Sequence, residues 1–136
     1  MKKSTRRGLA LLCALLLLAQ AACSLHGRGG GGLSPEGAAL VGTWEDLETG
    51  SLTIVALREG RPVVQSVVDG DGENFPITQQ HWDGRTLTFT YQVPSSGYLV
   101  EIVFIGVEGE RLAATWSNQA PDGQIAAGSQ DFQRVR

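Results

Sequence analysis

Downstream of Cys23 this 136-residue chain contains no lysine. Seven arginines stand there against 14 aspartates and glutamates, a balance of −7. A surface of that sign repels phosphate backbones, so nucleic acid is excluded as a partner. The same deficit argues against a polybasic membrane patch. Cysteine is nearly absent, with 2 in all, Cys13 and Cys23, too few for a disulfide framework. Histidine is as scarce: His26 lies among glycines, and His81 stands alone in the rest of the chain. A transition-metal site would therefore need carboxylates to complete it, and no metal or other cofactor is expected. No serine sits in a Gly-x-Ser-x-Gly or comparable nucleophile setting, so no enzyme is expected either. The longest unbroken apolar run, Leu9 to Ala19, falls short of the ~20 residues a membrane-spanning helix needs.

What is present begins with order at the N-terminus. "MKKSTRRG" is basic, the apolar run follows, and small residues then surround Gln20 before Cys23. That succession of basic, apolar and small-residue zones is the pattern of a signal peptide, here residues 1–22. Two cleavages compete. Cutting after Ala19-Gln20-Ala21 leaves a soluble secreted chain that begins Ala22-Cys23. Alternatively, Gln20-Ala21-Ala22-Cys23 resembles the lipobox of bacterial lipoproteins, with Gln20 where that family usually has an apolar residue. The resemblance implies that Cys23 carries a diacylglyceryl thioether and an acylated (palmitate-type) amine, making the membrane a partner. Ser24 after the cysteine resembles lipoproteins sent to the outer membrane, which implies an exported envelope protein. Cys13 leaves with the signal peptide, so Cys23 has no internal partner, and several acyl chains would make a stable anchor. Residues 24–37, "SLHGRGGGGLSPEG", read as a Gly-rich tether of roughly 20 Å r.m.s. span.

From Ala38 onward turn signals recur almost regularly, from Thr49-Gly50 through Asp122-Gly123. Between them lie segments rich in Val, Ile, Thr and aromatics. "TLTFTYQ" alternates with period two, Leu87, Phe89 and Tyr91 on one face and threonines on the other. The pattern predicts eight strands over 41–48, 51–58, 61–68, 75–82, 86–92, 98–107, 110–118 and 124–134. Connections this short suit an all-β, up-and-down antiparallel barrel spanning 38–136, favoured over a sandwich because closure removes sheet edges.

"VGTWED" opens the domain, and "DFQRVR" closes it. Gly42-Thr43-Trp44 with Arg134 resembles the lipocalin-like (calycin-type) barrels, and the short domain is most similar to the small bacterial ones. The resemblance implies that Gly42, Trp44 and Arg134 are structural, with the Trp packed across one barrel end under the basic residue. "GTW", "GSLTIV" and "TWSNQ" also resemble fragments of the avidins, but biotin contacts cannot be placed residue by residue. Alternation puts Phe89, Tyr91, Ile102, Phe104 and Trp116 inside. There they would line a site for a small apolar ligand, with Ala113, Ala114, Ala126 and Ala127 leaving room, or else fill the core.

Two further features have bland readings. "VVDGDGENF" spaces Asp69, Asp71 and Glu73 like calcium ligands. It has Asn74 and Gln80 where such a loop needs Gly and a bidentate Glu, so it reads as a turn. "SLTIVALR", "RPVVQSVV" and "YLVEIVFIGV" are apolar on both faces and suggest a surface covered by a protein partner. The two expectations are an envelope-anchored barrel holding a small apolar ligand, or a filled-core structural or inhibitory interaction module.

Overall fold

Alternating apolar residues punctuated by turns produce eight antiparallel strands in residues 33–136, the part of the chain that the computed structural model describes. The signal peptide, Cys23 and most of the tether lie outside the described residues. A short helix α1 (Pro35–Leu40) precedes β1 (Gly42–Asp46), β2 (Leu52–Arg58), β3 (Arg61–Val68) and β4 (Ile77–Trp82). Strands β5 (Leu87–Gln92), β6 (Leu99–Glu108), β7 (Arg111–Gln119) and β8 (Ile125–Val135) complete the order. The expected strands are all present, with ends displaced by a residue or two.

From β2 onward each strand but β4 pairs with the one before it, and β1 pairs with β8, Thr43 opposite Val135 and Asp46 opposite Phe132. The sheet order is therefore β3-β2-β1-β8-β7-β6-β5-β4, an up-and-down barrel that is nearly closed. The two edges, β3 and β4, meet across a seam with no regular ladder; one bridge, Val68 to Asn74, lies at its margin.

The tether ends earlier than its composition suggests. Ser34 caps α1 by accepting from the Gly37 N–H at 3.0 Å, and Pro35 follows in the first turn. A side-chain oxygen at the cap with proline just inside it is a helix start, and it outweighs the glycines around it. The helix lies across one end of the barrel, with Gly37 against Pro62 of β3 and Leu40 buried.

Inward-facing residues make one core. Trp44, Val55, Val67, Leu87, Phe89, Ile102, Phe104, Leu112 and Phe132 are all within 2% of full burial. Alternation along β5, β6 and β7 places them there, since cross-strand partners share a face.

Candidate functional site

At the helix-capped end, three residues separated by most of the domain interlock. Trp44 is fully buried, and its indole N–H donates to the Leu40 carbonyl at 2.8 Å. The Arg134 guanidinium lies 4.2 Å over the Trp44 ring. Its two terminal nitrogens donate to the carbonyls of Val41 and Ala39, each at 2.7 Å. These are the last carbonyls of α1 and the link into β1, groups that a helix end leaves without partners. Glu110 approaches the same guanidinium at 4.0 Å, with Arg136 3.6 Å from its other oxygen. Gly42 has φ +142°, and a Cβ there would collide with Arg134 Nη1. Glycine is thus needed at this position for the backbone conformation and for the arginine's path. The cluster fastens helix, first strand and last strand together, and one Glu110 oxygen within it is buried without a hydrogen-bond partner.

From there an aromatic column runs through the barrel. Phe132 meets Phe104 edge-on at 5.1 Å, Phe104 meets Phe89 at 5.1 Å, and Phe89 leads to Tyr91, which stacks on Phe75 at 5.1 Å. Each such pair adds about 0.5–1.5 kcal/mol beyond its buried area. Of the five residues expected to line a ligand site, Phe89, Ile102 and Phe104 are buried in this packing, and Tyr91 and Trp116 are half-buried. Trp116 lies flat on β8, where a Cβ at Gly128 would come within 3.0 Å of its ring. Hollows of about 570, 610 and 470 Å³ occur among the described residues, and none of these three is lined by any of the five. Ala114 is buried against Gln130 in register; Ala113, Ala126 and Ala127 are exposed.

Tyr91 has an electrostatic signature. Burial, aided by the Asp46 charge, raises its phenol from 10.0 to about 12. A neutral form favoured in the folded state means that this stability is complete below pH 10. It falls as pH rises through the folded value. Tyr91→Phe is expected to flatten the decline between pH 10 and 12 in urea titrations; an unchanged slope would contradict this placement.

Asp46 itself is buried, and one carboxylate oxygen accepts from the Glu48 and Thr49 N–H groups at 2.8 and 3.3 Å. It ties the β1–β2 turn. Asp69 does the same for its loop, accepting from Asp71 and Glu73 N–H at 3.0 and 2.7 Å. Glu73 in turn holds Ser95 of the β5–β6 turn through both of its oxygens, at 2.8 Å each. No group of three or more metal-ligating side chains comes together among the described residues. His81 is exposed on β4, near Asp83. The Thr86 and Arg85 N–H groups and the Thr86 hydroxyl hold the Asp83 carboxyl down at about 2.

The outer face is unlike the interior. On β2, Leu52 and Ile54 are each 38% exposed. Their register partners on β3 are Val68 and Ser66, and Ala56 pairs with Val63 one step along. On the other side Thr43 links Ile54 to Val135, 41% exposed. An apolar strip thus lies on the outside of β2 and β3, where Leu52 pairs with Val68 and Ala56 with Val63, and it is bordered on β1 by Thr43 and Glu45. No protein-family model matches the chain, and neither a curated protein nor a solved structure gives a significant match.

Two functional features lay beyond the sequence pattern. Phe75 and Phe132 extend the aromatic column, and alternation from Arg134 would have found Phe132. Gln80 on β4 reaches across the seam to β3. Nothing in "ITQQHW" marks it.

Proposed function

We propose that this chain is an exported lipoprotein, held at the cell envelope through Cys23, whose filled barrel serves as a protein-interaction module. The envelope address rests on the N-terminal order of basic, apolar and small residues, and on Cys23 as the one cysteine that would remain once residues 1–22 are removed. The observation that carries the interaction reading is the apolar strip on the outer face of β2 and β3, above an interior occupied by its own aromatic column. Leu52 with Val68 and Ala56 with Val63 adjoin in cross-strand register, with Ile54 between them on β2, unlike the isolated apolar side chains every surface carries. In this reading Phe89, Ile102 and Phe104 are core, and Trp116 and Tyr91 close the far mouth of the barrel.

Cys23→Ser is expected to move the protein from the membrane to the soluble fraction, and intact mass of the wild type should show an acylated Cys23. A free thiol on a chain beginning Ala22 would overturn the anchor. For the patch, a photo-crosslinker at Ile54 should trap a specific protein in whole cells, and one at exposed Thr115 should not. The pair Leu52→Ser and Ile54→Ser should abolish association while changing stability little, within about 0.5 kcal/mol each. An apolar molecule co-purifying with the wild type, together with silence at Ile54, would instead support an interior ligand.

A further inference from the structure

Sheet edges expose unpaired peptide groups, and natural proteins cover or blunt them. In this barrel the two edges face each other, and Gln80 bridges them. Its side-chain Oε1 accepts from the Val64 N–H at 2.8 Å, and its Nε2 donates to the Val64 carbonyl at 3.4 Å. Accepting from and donating to one residue is what a neighbouring strand does in an antiparallel pair. A side-chain amide therefore occupies the position of a peptide backbone. Gln80 is nonetheless exposed, so this amide can exchange with another. Beyond it the seam is fastened by Phe75 N–H to the Val67 carbonyl at 2.8 Å. Between these points lies a groove of about 570 Å³ with Val64, Phe75 and Ile77 among its walls and Arg58 at its margin.

We propose that this seam binds an extended peptide segment of a protein partner as an added strand on β3. The segment's backbone displaces the Gln80 amide from Val64. The proposal deepens the interaction-module reading and rests on it. Three features point to a peptide. The first is the amide already standing in for one. The second is continuity: Val63 and Val68 belong to both β3 and the apolar strip, so alternate side chains of an added strand would extend that patch. Pro62, on the same side of β3 as the Val64 N–H, offers no donor, so the pairing is centred on Val64. The third is charge. A strand antiparallel to β3 runs toward Arg61, whose register partner is Arg58. Its C-terminal end therefore meets two arginines, which fits a segment ending in an acidic residue or a free carboxylate.

The test uses the full chain in detergent micelles and a fluorescent probe, acetyl-Thr-Val-Thr-Val-Thr-Asp with a free C-terminal carboxylate. Gln80→Ala removes the internal competitor and is expected to tighten probe binding about ten-fold over wild type. A probe with the same side chains but N-methylated valines should lose saturable binding, because its backbone cannot pair. Arg58→Ala should weaken the carboxylate probe and leave an amidated Asn-ended probe unchanged. Equal binding of the N-methylated probe, or no binding by wild type and Gln80→Ala alike, would overturn the proposal. Should Gln80→Ala unfold, the two probes compared on wild-type protein decide alone. A failed probe with a positive Ile54 crosslink removes the seam and keeps the interaction module; the reverse result removes the outer patch.

Discussion

Phe104→Ala is expected to lower the unfolding free energy by about 3–5 kcal/mol, read as a shift in urea midpoint at unchanged slope. Phe104 has no exposed surface and is gripped edge-on by Phe89 and Phe132, each at 5.1 Å. Its removal forfeits the transfer energy of a whole ring and two aromatic contacts, and leaves a void whose walls are strands fixed by their ladders. A domain of this size has roughly 5–15 kcal/mol in total, so the loss would be a large fraction of its stability. A cost under about 1 kcal/mol would mean that the interior already has space beside this ring. That result would return the barrel to the ligand-holding reading.

Arg134→Leu is expected to cost about 2–4 kcal/mol, and Arg134→Lys should recover less than half of it. The guanidinium satisfies two carbonyls at 2.7 Å, covers Trp44 and lies 4.0 Å from a Glu110 oxygen. Its side chain is still 24% exposed, which moderates the electrostatic part. An ammonium is a point charge and cannot span both carbonyls while lying on the indole. The loss should be local as well as global. Hydrogen exchange at the Ala38 amide, which donates to Ser34 within α1, should accelerate more than exchange at β6. Uniform acceleration would assign the arginine to general stability and not to holding the helix on the barrel.

Much of this architecture was legible because the forces that set it are periodic. Leu87, Phe89 and Tyr91 announce their face by alternation, and their cross-strand partners Phe104, Ile102 and Val100 do the same. Gly42, Trp44 and Arg134 were legible through resemblance, and the physical reason for the set emerges only from the close approach of Arg134 to the Gly42 backbone. The seam was not legible. A strand that fails to pair has the same composition as one that pairs, and a glutamine carries no sign of which backbone its amide will meet. The outer strip was half legible. Two-faced apolar strands were visible, but which of their residues adjoin depends on register, including the shift between Ile54 and Val55. The helix at Pro35 was masked by its glycines, though its capping serine was in plain view.

The first and last strands of the domain lie side by side in the middle of the sheet, and the break falls at 69–76, between β3 and β4. Read from that break, the strands follow one another around the barrel from β4 through β8, then β1 to β3, each beside its predecessor. Only the β1–β8 pair spans the chain, joining residues such as Thr43 and Val135. That one ladder carries nearly all of the loop-closure entropy of the fold. The two arcs, β1 to β3 and β4 to β8, are therefore built from neighbouring hairpins, and the pairing of the domain's first and last strands is the long-range step. Every other pairing is local. The barrel is in this sense a ribbon that becomes a cylinder when its termini meet, and the seam is where the ribbon's margins come to rest.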